Sequence, residues 1–442
     1  MIRGLCKTYA TRGGLSLTSR PKWSPTRPFL RFSPAPLTIS SFFFACHADP
    51  PENDRKRKGE ETTSQYYKRI RNLPDPSALA KGYHESPDNS IFLNHHPFDV
   101  EGIPTELLHP AFGRFRDHCS TIVPLQCDIQ LTLAMCREMS KMYPSEEDRL
   151  ASFKAVIKKH FGVCLHGVWI GKAITNVTAI NDRHYSFNVE AKIINGDPYI
   201  RNTAYYTKQV AGMPRSELLR LPIILIDVTG PIMTISGAIN GSKITMDPYI
   251  VVNLATPSHD IPGLVPIFAA LREMILESEA YYTSKHLLPV TDEQRRFPYF
   301  NSSGDATFLY QDHLAPGYNR LLFLAGITST CSTLTNGTFV VVKFSHTYGT
   351  AAQIATAELG FAPKIYYHES LPGGWTVVVM ERIAQPFKLL QDMSDSDCAV
   401  LRPALTDAVS KMHAAGFVHG DLRRGNIFGD VQTSSLRSLR SR

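Results

Sequence analysis

Apolar residues recur along this chain with two different spacings, and the switches between them mark its elements. Residues 131–143 and 146–161 carry the helical spacing. The second stretch presents Leu150, Phe153, Ile157 and Phe161 on one face, with Ser145 and Asp148 placed as a capping box. Strand-like runs follow at 168–174, 186–194, 222–228, 232–239 and 249–254, with a hairpin marked by Asn240-Gly241 and a further helix at 265–277. This pattern predicts an α+β domain over 89–290. The stretch 291–318, rich in Asp, Ser, Pro and Gly, reads as a linker.

Beyond it the spacing returns to strands. Runs at 321–327 and 339–344 flank an Asn336-Gly337 turn signal, and the second run ends on Lys343-Phe344. A buried-strand run at 375–383 leaves by the polar Glu381 and Arg382. A helix is predicted at 403–415, with Leu405, Ala408, Val409 and Met412 on one face and Gly416 placed to end it. Immediately afterwards comes His419-Gly420-Asp421-Leu422-Arg423-Arg424-Gly425-Asn426. An H-x-D followed five residues later by Asn is the catalytic-loop pattern of protein-kinase-like phosphotransferases.

In this order of elements, the segment 319–430 resembles the fungal-type protein kinases, a kinase-like family whose loop reads H-G-D. The resemblance implies a phosphotransferase using ATP and magnesium, acting on a protein or a small hydroxyl compound. Asp421 would accept the proton of the substrate hydroxyl, and Asn426 would hold magnesium against the phosphates. Lys343 takes the place of the strand-3 lysine that binds the α- and β-phosphates. Arg423 stands where a kinase lysine neutralises the moving phosphoryl group.

Several positions depart from the pattern. Gly420 replaces an arginine that pairs with phosphorylated activation loops. The stretch between Gly326 and Gly337 holds no G-x-G-x-x-G, and the helix after Lys343 offers Glu358 near its end but alanines at 351 and 352. No D-F-G follows Asn426; Asp430 comes too early, and 431–442 reads as a polar tail. The expected architecture is therefore a kinase-like N-lobe with an incomplete C-lobe, lacking on the order of 100 residues of its own core. Impaired phosphotransfer follows from that ending, and a non-catalytic pseudokinase or interaction protein is the alternative.

Composition sets the remaining bounds. A chain of 442 residues with 43% hydrophobic content suits two or three domains. The eight cysteines are scattered without a C-x-x-C pair, which argues against zinc or a disulfide framework and for a reducing interior. No apolar run is long enough to cross a membrane, so the expected setting is soluble and intracellular. The net charge of +7 arises within residues 1–48, which carry seven basic residues and no acidic one; they account for the whole excess of 47 over 40. That start has the composition of a mitochondrial transit peptide, but its five prolines between 21 and 36 interrupt any long helix, and residues 1–88 read as a disordered basic tail and linker. Arg55-Lys56-Arg57-Lys58 with Lys68, Arg69 and Arg71 has the form of a bipartite nuclear import signal, or of a solvated charge run. Nucleus or cytoplasm is the expected compartment.

A second constellation lies upstream. Asp182 followed by Glu190-Ala191-Lys192 on a strand resembles the core of restriction-endonuclease-like enzymes, in which two carboxylates hold magnesium and a lysine orients water. Strand alternation puts Glu190 and Lys192 on one face, and Asn202 and Tyr206 lie where related nucleases carry Q-x-x-x-Y. This gives a metal-dependent nuclease acting on nucleic acid as a third reading, set against a surface Glu–Lys pair. His95-His96 with Asp99 reads as a loop rather than a metal site.

Overall fold

The computed structural model describes residues 61–85, 91–93, 102–161, 165–167, 169–170, 173–174, 177–181, 184–192, 197–283, 289–304, 306–314, 321–329 and 334–438. Over them the chain is a mixed α+β protein built around two six-stranded sheets and one three-stranded sheet.

The first sheet and its helices comprise α1 (Thr63–Arg71), α2 (Pro76–Glu85), β1 (Phe92–Leu93), α3 (Thr105–Leu108), α4 (Pro110–Thr121), α5 (Gln126–Met139) and α6 (Glu146–Phe161). A small ribbon, β2 (Trp169–Ile170) with β3 (Ala173–Ile174), leads to β4 (Val177–Asn181) and β5 (His184–Lys192). Then come α7 (Pro198–Gly212), β6 (Ile223–Thr229), β7 (Ile232–Asn240), β8 (Ile244–Asn253) and α8 (Ile261–Thr283). The strand order is β1-β8-β7-β6-β5-β4; the β1–β8 and β5–β6 pairs are parallel and the others antiparallel.

Strand β6 is apolar at almost every position because both its faces are covered. Ile224, Ile226 and Val228 join Phe112, Phe153 and Phe268 in one core. Ile223 and Leu225 point the other way, to Tyr66, Ile70 and Tyr206 of α1 and α7. Each such side chain contributes about 1.5–3 kcal/mol on burial.

The second sheet follows α9 (Asp292–Arg295). Its strands are β9 (Ser302–Ser303), β10 (Ala306–His313), β11 (Leu322–Ile327), β12 (Phe339–Ser345), β13 (Ile365–Leu371) and β14 (Trp375–Glu381), with helix α10 (Thr350–Glu358) between β12 and β13. The order β13-β14-β12-β11-β10-β9 is antiparallel throughout. Last come β15 (Lys388–Leu389), the long helix α11 (Asp395–Ala414), β16 (Ile427–Asp430) and β17 (Ser435–Ser438), ordered β15-β16-β17. No helix among the described residues is long and apolar enough to cross a membrane.

Four expectations change. The tail expected over 1–88 is helical from Thr63: Tyr66, Tyr67 and Ile70 bury one face of α1, and Thr62 and Gln65 form its capping box. Lys68, Arg69 and Arg71 therefore sit on a packed helix, with Arg69 paired to Glu61 at 2.6 Å, while Arg55–Lys58 lie outside the described residues. The stretch expected as a linker supplies α9, β9 and β10, the last with Phe308 buried against β11. Helix α11 begins eight residues before the expected start: Ser394 caps it, accepting from the Asp397 amide at 3.1 Å, and Pro403 lies inside it rather than opening it. The polar tail 431–442 contains β17, which pairs with β16 and buries Leu436 among Leu390, Leu401 and Ile427.

Candidate functional site

The loop 419–426 leaves α11 through Gly416, at φ +84°, and enters β16 at Ile427. His419 is buried, and its Nδ1 accepts the Asp421 amide at 3.3 Å. Between them Gly420 has φ +71°, a conformation in which any Cβ is strained. The backbone thus supplies its own reason for glycine where many kinases carry arginine.

Asn426 is fully buried and donates from Nδ2 to the Asp421 carbonyl at 2.9 Å, which closes the loop. The Asp421 carboxylate is gripped by Arg423, Nε to Oδ1 at 2.5 Å and Nη2 to Oδ2 at 2.7 Å. Arg423, expected to face transferred charge, is in this geometry the ion-pair partner of Asp421, with Nη2 donating to Oδ2. Asp430 is occupied in a turn, accepting from the Gln432 amide at 3.0 Å and the Thr433 hydroxyl at 2.5 Å.

Lys343 stands on the third long strand of the second sheet, which is the strand that carries the phosphate-binding lysine in protein kinases. It is buried and pairs with Leu322 of β11 and Val378 of β14. Its Nζ lies 4.6 Å from the centre of the Tyr348 ring. The pairing locates Lys343 along the sheet. Leu322 is the first residue of β11, so Lys343 lies at the end of the sheet where β10 finishes and β11 starts. The turn around Gly337 is at the opposite end, where Gly326 pairs with Phe339. The stretch between Gly326 and Gly337 is therefore not the one that lies next to Lys343. Most of the relevant connection, 315–320, lies outside the described residues.

Glu358, the expected partner for Lys343, is exposed in the last turn of α10. The residue that α10 turns inward is Gln353. Its Oε1 accepts from the Tyr348 hydroxyl, and its Nε2 donates to the Pro363 carbonyl at 3.0 Å. Sequence reasoning missed Tyr348 and Gln353 because it searched α10 for an acid. Two contacts tie the loop's own elements to this region: Arg437 of β17 donates to the Gly360 carbonyl, and Lys411 of α11 lies 5.6 Å from the Phe361 ring.

The upstream constellation takes a different form. Asp182 lies outside the described residues, as do His95, His96 and Asp99. The last described residue before Asp182, Asn181, pairs with His184, six residues and about 20 Å along β5 from Glu190. Glu190 and Lys192 share a face as expected, but that face is buried against α7 rather than exposed. The carboxylate beside Glu190 is Asp227, its register partner on β6. Arg201 Nε approaches Glu190 at 3.2 Å and Lys192 Nζ at 3.7 Å; Lys192 also donates to Glu146 at 2.9 Å, and Asn202 donates to Asp227 at 3.0 Å. Tyr206 donates to the Leu221 carbonyl at 2.5 Å. Burial pushes the Glu190 carboxyl up to about 7, against the pull of Arg201 and Lys192, and pushes Asp227 up to about 8. Both Glu190 oxygens and Asp227 Oδ2 are buried without a hydrogen-bond partner among the described residues, with Arg201 and Lys192 as the nearby cations. No three metal-ligating side chains converge among the described residues. Asp227 was legible in principle, as the polar third member of the alternation Ile223, Leu225, Asp227.

No family model matches this chain, and no curated protein does. Among solved structures, the kinase PK-1 of Cydia pomonella granulovirus is similar over 31% of this chain at 14% identity with a TM-score of 0.25. The match spans about half of that viral kinase, 53% of its length.

Proposed function

We propose that residues 306–438 form a protein-kinase-like nucleotide-binding module that takes ATP, with the H-G-D loop of the fungal-type kinases. The observation that carries this reading is the closed loop. Asp421 is presented from a turn fixed by His419 and Asn426, behind a long helix and ahead of a hairpin. In this reading Lys343 on the third strand supplies the phosphate contact, and Asn426 stands where such kinases hold magnesium. A single amide oxygen is not a magnesium site by itself, so no step is routed through the metal. The acceptor is a hydroxyl group of a protein or small molecule.

The Arg423–Asp421 ion pair favours a second reading, nucleotide binding without transfer. Arg423 stands against both oxygens of the proposed base, so a substrate hydroxyl would have to displace it. One experiment separates the two: calorimetric binding of ATP with magnesium to the full chain, followed by phosphate release and transfer assays. Binding lost in Lys343→Met, with turnover lost in Asp421→Asn, supports a phosphotransferase. Binding without turnover supports the pseudokinase, and no binding in the parent chain overturns both.

A further inference from the structure

We infer that Tyr348 is the positioning residue for Lys343, holding its ammonium over an aromatic ring where protein kinases use a glutamate on the following helix. The inference deepens the nucleotide-binding reading and rests on it only for the last step.

Three observations meet here. Lys343 Nζ sits 4.6 Å from the Tyr348 ring centre, well inside the range at which a cation is attracted to an aromatic face. The tyrosine is held twice: it packs against the cluster of Leu322, Val341, Val378 and Met380, and its hydroxyl donates to Gln353 Oε1. Gln353 is in turn buried and anchored to the Pro363 carbonyl, so the helix acts on the lysine through the tyrosine rather than through a carboxylate.

The test uses the full-length protein and two variants, Tyr348→Phe and Tyr348→Leu. Acylation of Lys343 by an amine-directed reagent, followed by mass spectrometry, reports how firmly the ammonium is held; the half-exposed Lys411 serves as internal reference. Tyr348→Leu is expected to raise Lys343 acylation about tenfold relative to Lys411, the loss expected for a desolvated cation–ring contact. Tyr348→Phe, which keeps the ring, is expected to stay within about twofold of the parent. An unchanged rate in the leucine variant, or an equal rise in both, overturns the inference. ATP binding is then measured on the same three proteins. If the parent binds, Tyr348→Leu should weaken affinity about tenfold and Tyr348→Phe should retain it; equal affinity in all three also overturns the inference. If the parent does not bind, the nucleotide reading fails, and the acylation result still decides whether Tyr348 holds the lysine.

Discussion

The indole Nε1 of Trp375 donates to the Glu106 carboxylate at 2.6 Å, joining the first residue of β14 to a helix of the first sheet. The other oxygen of Glu106 pairs with Arg116 at 2.6 Å, and the acid is itself almost fully buried. Glu106→Ala therefore strands a buried indole N–H and releases a charged partner. We expect it to lower stability by about 2–3 kcal/mol, with Glu106→Gln costing less because it still accepts one bond. Urea denaturation of both variants checks the order.

The turn beside Trp375 is equally tight. A Cβ on Gly113 would lie 2.6 Å from the backbone of Pro372, and the Gly373 amide donates to Asp117 at 2.9 Å. Gly113→Ala should cost about 1–3 kcal/mol as an overpacked contact. Gly212→Ala, at a position with nothing nearby, should be stabilising or neutral. Thermal melts of the pair provide the comparison.

The carboxyls of Glu190 and Asp227 give the fold a pH dependence with a definite sign. Both are raised above their unfolded values, so between about pH 4 and their folded values the native state binds more protons than the unfolded state. Their contribution is fully present below the unfolded carboxylate range and has been lost once pH passes about 7 and about 8. Stability should fall between pH 5 and pH 8, by up to about 1.4 kcal/mol per pH unit for each group. Asp227→Asn should reduce that slope and be the more stable form above pH 8. Denaturation midpoints of parent and variant across this range test it, and a slope unchanged by the substitution would sink the assignment.

At the other end of the chain, Leu436 is the buried residue of β17. Leu436→Ala should destabilise the hairpin by about 2–3 kcal/mol. Limited proteolysis should then find new cleavage between Ala414 and Asp430, where the parent resists. Gly420→Ala should add about 1–2 kcal/mol of backbone strain to the same loop.

These contrasts explain what was legible in the sequence. The helix at 146–161 was read with its observed bounds, because capping and apolar spacing agree. Strand β6 was visible because burial on two faces leaves an uninterrupted apolar run. Helix α11 was read short because proline is an ordinary helix boundary, and nothing local announces that packing of Leu401 will carry a helix past Pro403. Strand β17 was missed because Leu436 is the single apolar residue in its sequence Ser-Leu-Arg-Ser. In the candidate site, the loop residues Asp421 and Asn426 carried a motif, whereas Asp227 is defined by neighbours distant in sequence and Tyr348 and Gln353, though only five residues apart, match no motif.

The guanidinium of Arg220 donates to the carbonyls of Leu108, Gln294 and Phe297, and burial lowers it to about 10. One side chain thus serves α3, the segment after α8 and the approach to the second sheet, while Tyr299 donates its amide to Leu107. Separating the two sheets would uncover a desolvated cation and leave the carbonyls it satisfies without their donor, at about 1–3 kcal/mol for each stranded group. The segment between them is therefore built as a mortared joint rather than a swivel.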